Sequence, residues 1–353
     1  MSPMTTRGGP PPGLVVAVDL GGTGIKAALV ARDGAVVRSV RRETRREAGP
    51  LAVLDRVTAT AAELAETCVA STGRAPLAAG VAVPGLVDTE RGVARYSANL
   101  GWRDLPLRAL LTERLGLPVA LGHDVRAGAL AEGRLGAGSG HDDFLFVALG
   151  TGVAAAHVRQ GRVLDGSRGG AGELGHLVLR AGGPRCGCGR RGCLETLASA
   201  SAVARRYAEA SGCAETGAAG RQGRAPARKP GRAQERGQEQ GHEQGHEQEN
   251  AVTAERVREL AGAGDPVARR VWRTAVHALA DGLAAYTVLC EPGLVVLGGG
   301  LARAGADLTD PLREALARRL SFHRPPPLAL AALGDRAGCQ GAALLALDLA
   351  VAV

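Results

Sequence analysis

The chain has 353 residues, enough for two domains, and only 2% of them are aromatic, so the cores must be built from Val, Leu and Ala. The net charge is +8, but 41 of the 43 basic residues are arginines, all but Lys26 and Lys229; they are scattered, with no stripe of interleaved aromatics, which argues against a nucleic-acid surface. No apolar run approaches the ~18 residues of a membrane span, and the Pro/Gly-rich start MSPMTTRGGPPPG lacks the apolar stretch of a leader, so a cytoplasmic protein without a membrane partner is expected.

Residues 1–13 read as a tail. LVVAVDL (14–20) is then a continuous apolar strand, GGTG a tight turn, IKAALVAR a second strand, and a third lies near AVVRSV. Helical periodicity covers 51–71, and AAGVAVPG (78–85) is a buried strand ending in a Pro-Gly turn. LPLRALLTERLG predicts an amphipathic helix closed by Gly116, LPVALGHD a strand, and VRAGALAEGRLG a helix. Strand and helix alternate, which predicts an α/β protein. DFLFVALGTGVAAAHVRQGRVL repeats the opening pattern of strand, glycine turn, strand, turn and strand. Two lobes of related design, 14–121 and 122–337, are therefore expected to face each other across a cleft. Residues 194–211 and 265–290 read as helices, LVVLGGG (294–300) as a buried strand running into glycines, and 338–349 as an apolar helix. Residues 213–250 break the order. They carry six basic and six acidic residues, a Gly-x-Glu-Gln repeat and almost nothing apolar, which predicts a disordered insertion. His242 and His246 within it could bind metal. Cys68 and Cys290 sit in apolar helical contexts and are expected to be small core residues.

Three glycine turns follow predicted strands. In DLGGTGIK (19–26), Gly21 and Gly22 would let backbone N–H groups approach an anion, with Thr23 and Lys26 beside them. Asp19 at the strand end could hold Mg²⁺, directly or through water. A plain hairpin turn with an incidental Asp is the competing explanation. Gly150, Thr151 and Gly152 form a second turn; Gly298, Gly299 and Gly300 form a third. The order of a Walker loop is absent. Together the turns suggest a nucleotide held between lobes.

His176, Cys186, Cys188 and Cys193 form the pattern H-x9-C-x-C-x4-C. One His and three Cys fill a closed tetrahedral site, the structural arrangement for Zn²⁺, and leave no open position for a catalytic metal. A redox site would favour C-x-x-C beside a thioredoxin-like unit, which is missing. Glu173 begins Glu-x-x-His, and Glu195 lies two residues beyond Cys193, so such a metal would tie two loops together and fix the carboxylates at either end. Glu195 could equally just start a helix, Asp124 in GHDVRAG (122–128) could be an ordinary N-cap, and Trp102 could simply pack.

DLGGTGIK, ALGTGV, GELGH, CGCGRRGCLE and LVVLGGG, in this order, resemble the ROK family of bacterial sugar kinases and repressors. The resemblance covers residues 14–350 apart from the insertion. It implies the actin-like ATPase fold, with ATP and sugar in the interlobe cleft and the last helix, within 338–353, packed back on the N-terminal lobe. It implies that Glu173, His176 and Glu195 hydrogen-bond sugar hydroxyls, that Asn99 in SANLGW does so too, and that Gly85 lets the backbone come near. Asp124 would be the catalytic base. The family usually has Asn before this Asp, where this chain has His123. The implied activity is ATP- and Mg²⁺-dependent phosphorylation of the 6-hydroxyl of glucose, with N-acetylglucosamine or N-acetylmannosamine as alternative substrates and polyphosphate as an alternative donor. A sugar-sensing ROK repressor is the rival class; the stretch before Leu14 is too short for its three-helix DNA reader. A homodimer or homotetramer is also implied.

Overall fold

The computed structural model describes residues 13–212 and 252–352. Strands β1 (Leu14–Leu20), β2 (Gly24–Ala31) and β3 (Val36–Glu43) form an antiparallel meander. Helix α1 (Pro50–Thr72) starts on a proline at its first turn and stops at Gly73, whose φ of 70° ends the helix in the left-handed region. β4 (Ala79–Val83) follows, then a small antiparallel sheet of β5 (Leu86–Asp88), β6 (Val93–Ser97) and β7 (Trp102–Leu105). Helix α2 (Leu107–Leu115) closes at Gly116 as anticipated, and β8 (Val119–His123) leads directly into α3 (Asp124–Leu135). The first sheet has the order β3-β2-β1-β4-β8, with β1, β4 and β8 parallel. Both faces of its centre are covered, which explains the unbroken apolar runs VVAV and AGVAV. The edge strand β3 is exposed and carries charges that discourage further pairing.

The second half repeats this plan. β9 (Asp143–Leu149), β10 (Val153–Arg159) and β11 (Arg162–Val163) are an antiparallel meander. Helices α4 (Glu195–Ala198), α5 (Ala200–Ser211), α6 (Ala254–Gly262) and α7 (Pro266–Cys290) precede β12 (Val295–Gly298), α8 (Ala306–Ala317), β13 (Leu328–Leu330) and α9 (Ala337–Ala352). The sheet order is β11-β10-β9-β12-β13, again with three parallel strands. Helix α3 sits between the sheets. Its Ala127 belongs to a core shared with β1, β4 and α9, while Ala129 packs with Phe144 and Phe146 of β9. α9 lies back on β1, β4 and β8. Glycines permit the close approach: a Cβ at Gly80 would overlap the Ala342 carbonyl, and one at Gly341 the Ala127 carbonyl.

Several elements departed from expectation. The segment 194–211, read as one helix, is two. Ser199 is extended (ψ 160°) and its hydroxyl accepts from Ala202 N, capping α5, so local capping chemistry overrides the continuous apolar pattern. The β5–β7 sheet, α6, α8 and β13 were not anticipated; their strands are only three to five residues long, too short for a clear period. Cys68 is buried, but Cys290 is exposed at the last turn of α7, so it is no core residue. Trp102 is a packing residue, 2% exposed, its indole N–H donating to the Pro50 carbonyl at 2.9 Å. The insertion 213–250, with His242 and His246, lies outside the described residues. Among those described, no helix is long and apolar enough to cross a membrane.

Candidate functional site

Parallel strands bring their C-terminal ends to one edge, and there the first sheet presents two carboxylates. Asp19 on β1 is level with Ala82 of β4, which pairs with Gly122 of β8; Asp124 follows one residue past the end of β8. Burial pushes the Asp19 carboxyl up to about 6, reinforced by repulsion from Asp124 and opposed by Lys26. Burial likewise raises Asp124 to about 6, against the Val125 N–H and the Arg126 charge. Asp124 is the first residue of α3 rather than its N-cap, a position His123 holds. Its Oδ1 accepts from the adjacent Val125 N–H at 2.7 Å. Asp19 also abuts the start of α9: a Cβ at Gly338 would lie 2.6 Å from its Cγ. Two carboxylates brought together at a strand-end cleft can divide between accepting a proton and, when ionised, holding a cation.

Glycine turns follow β1, β9 and β12. In the first, Gly21 N–H donates to Gly24 O at 2.8 Å and Thr44 Oγ1 to Gly21 O at 2.7 Å. A cleft of about 490 Å³ opens beside it, lined by Asp19, Thr23, Lys26, Arg41 and Arg42. In the second, Gly150 N–H donates to Gly152 O at 3.0 Å, and Ser201 of α5 donates to Thr151 O. The third packs on the second, since Gly299 (φ 84°) passes so close to the backbone of Leu149 that a Cβ would not fit. Gly300 borders a separate cavity of about 200 Å³ with Ala200, Glu255, Arg258, Trp272 and Arg303. Asp335, just before α9, joins the two halves: it accepts from Lys26 Nζ through its carbonyl (3.2 Å) and pairs with Arg303 (3.3 Å) and Arg41 (3.7 Å).

The His/Cys cluster is assembled. The ligand atoms of His176, Cys186, Cys188 and Cys193 all lie within 4.8 Å of one another. Cys188 and Cys193 Sγ are 3.7 Å apart, and Cys186 Sγ is 3.6 Å from His176 Nδ1. A tetrahedral Zn²⁺ with Zn–S near 2.3 Å would separate its ligands by ~3.8 Å, so the donor set fits that ion. The other imidazole nitrogen, Nε2, is 3.7 Å from Glu173 Oε2, the carboxylate–histidine arrangement that orients a metal ligand. Glu195 stands between the cluster and the second turn. Its Oε2 accepts from Val153 N at 3.2 Å, and its Oε1 lies 3.8 Å from Cys186 Sγ.

Asn99 is brought beside the first turn, its Cβ 3.9 Å from where a Cβ on Gly22 would be. Gly85 has a φ of 104° and leaves no room for a Cβ against Tyr96 O, so chain crossing with β6 is what requires glycine there. Neither Asp335 nor Arg126 stands out in the sequence. The latter is buried on α3, pairs with Asp165 at 2.6 Å and donates to Gly169 O. It thereby holds the 165–172 strap, whose Asp165 also accepts from Thr89 at 3.4 Å. Only a charged residue at a helix position otherwise buried could have signalled it.

Comparison with known proteins bears on the whole chain. The ROK family matches residues 15–349. The glucokinase of Thermotoga maritima is 33% identical over 332 residues, 93% of this chain and 96% of that protein. The crystal structure of the ROK hexokinase from Thermus thermophilus has a TM-score of 0.75 and 36% identity, covering 96% of this chain and 100% of that one. A ROK family glucokinase from Streptomyces griseus, in complex with glucose and AMPPNP, has a TM-score of 0.74 and 29% identity, covering 95% of this chain and 100% of that one. The two-sheet fold is that of the actin-like ATPases, and this chain belongs to the ROK family.

Proposed function

We propose that the protein is a glucose kinase that transfers the γ-phosphoryl group of ATP to the sugar's 6-hydroxyl. The observation that carries the proposal is the pair Asp19 and Asp124 at the C-terminal ends of β1 and β8, which flank β4, near enough to repel each other and with a glycine turn directly after β1. Similarity nearly end to end to the Thermotoga maritima glucokinase supports glucose as acceptor, and the AMPPNP-bound neighbour supports a nucleotide donor. Asp124 takes the proton of the attacking hydroxyl. The Gly21–Thr23 turn, Lys26, and the 150–152 and 298–300 turns hold the phosphates, where catalysis is mainly positioning and charge neutralisation. Asp19 would hold Mg²⁺, directly or through water, and the ion would offset the negative charge of the transferring group. The Gly300 cavity, with Trp272 and Arg303, takes the base and ribose.

Sugar recognition falls to Asn99, Glu173, His176 and Glu195. His176, Cys186, Cys188 and Cys193 would hold a structural Zn²⁺, and tying these loops together would keep Glu173 and Glu195 in register. With Nδ1 of His176 turned to the thiols, its Nε2 is the nitrogen left for Glu173 or sugar. The protein works in the cytoplasm as a dimer or tetramer. A coupled kinase assay over a hexose panel, with ATP and polyphosphate as donors, tests the assignment. Turnover is expected with glucose and ATP and little with galactose; comparable turnover on galactose, or on an N-acetylhexosamine in preference to glucose, would refute it.

A further inference from the structure

His123 stands at the end of β8 with its side chain buried, and its Nδ1 has no hydrogen-bond partner. An unpartnered ring nitrogen shielded from water is costly, so its placement calls for a function. Its nearest ionisable neighbour is Asp124: Nδ1 is 3.3 Å from Oδ1, close enough to bond but outside hydrogen-bond geometry. The same Oδ1 already accepts the Val125 N–H. Burial and the Arg126 charge depress the imidazole to about 4, so at neutral pH the ring is uncharged and carries one N–H. Facing a carboxylate oxygen, that proton belongs on Nδ1. Both donors then converge on Oδ1, and Oδ2 is the oxygen without a partner. Catalytic hydrogen bonds are often long in the unliganded enzyme and tighten in the productive complex.

We propose that His123 is a positioning residue that, with the Val125 N–H, pins Oδ1 of Asp124 so that Oδ2 meets the acceptor hydroxyl. The inference rests on Asp124 as the base. Around this pair, Asp19 lies on β1, Arg126 on α3, Asp165 on the strap beyond β11, Glu173 just past that strap, and Cys339 on α9 beside Asp19. His123 acts on Asp124 through a neutral donor; none of these others offers one to it.

His123→Phe keeps a ring and removes the donor; His123→Asn restores an N–H donor on a shorter side chain. Glucose kinase kinetics from pH 5 to 8, with melting temperatures, should be measured for both and for Asp124→Asn. A donor to a carboxylate stabilises its charged form, so His123→Phe should move the acid limb of kcat/KM up by about one pH unit. Its kcat should fall about tenfold with glucose KM nearly unchanged. His123→Asn should recover most of the limb position. A raised KM with an unmoved limb would make His123 a sugar contact, and a lowered melting temperature with wild-type kinetics would make it a core residue; either overturns the proposal. If His123→Phe does not fold, a limb in His123→Asn displaced as far as loss of the donor predicts would overturn it too. Near-normal turnover in Asp124→Asn would instead remove the base assignment itself.

Discussion

Asp124 shows how a single residue divides between stability and chemistry. Its carboxyl is raised from 3.8 to about 6 chiefly by burial, so ionising it in the folded protein is unfavourable. The folded state binds this proton more tightly than the unfolded chain. The destabilisation is therefore absent below the unfolded value near 3.8, grows as pH rises, and is complete above about 6. Asp124→Asn removes the charge and keeps the shape. The variant should melt higher than wild type at pH 8, with the difference shrinking toward pH 4. Its turnover should fall by ~10²–10⁴, the usual loss when a general base is removed, while glucose and ATP still bind. Calorimetry at the two pH values and single-turnover kinetics check both halves; a variant melting lower at pH 8 would show that the carboxylate is stabilised rather than strained.

Among the elements, the loop from Glu173 to Glu195 has little regular structure and much of the proposed chemistry. Little secondary structure holds it: a single 3₁₀ turn at Leu174–His176 and two isolated bridges, Val178 to Cys193 and Arg185 to Arg191. Burial pushes the Cys186 thiol up to about 12, so it is neutral at physiological pH, and a bound dication would displace its proton and take the thiolate. Cys188→Ala should therefore lower the zinc content of the purified protein. The glucose KM should rise, because Glu173 and Glu195 lose their anchor, while nucleotide affinity changes less. Metal analysis beside isothermal titration with glucose and AMPPNP would check this; wild-type protein without stoichiometric zinc would end the idea.

At the scale of the whole molecule the two sheets meet through α3, α9 and Asp335. The first two are apolar contacts made close by glycine. The third is electrostatic and about half exposed, and such pairs contribute about 0–1 kcal/mol each. Asp335→Ala should hardly change the melting temperature. It removes a negative charge beside Lys26 and Arg41 at the proposed phosphate site and Arg303 at the proposed nucleoside cavity, so KM for ATP should fall a few-fold at low salt. Steady-state kinetics across ionic strength would test this, the effect fading as salt screens the charges.

Sequence alone determined what depends on neighbours in the chain. Unbroken apolar runs specify parallel strands buried on both faces, glycines specify the turns that follow them, and the spacing of His176, Cys186, Cys188 and Cys193 marks four metal-ligating side chains that the fold gathers together. The repeated meander made the two related sheets legible, and the ordered motifs made the family so. Tertiary structure decided what depends on contacts between distant segments. Asp335 reaches Lys26 across 309 positions, Arg126 reaches Asp165 across 39, and the orphaned Nδ1 of His123 acquires meaning only beside the Asp124 carboxylate as folding buries the ring. Cys290 and the break at Ser199 were misread for a related reason: apolar periodicity reports a face, while exposure and capping are settled by what that face meets.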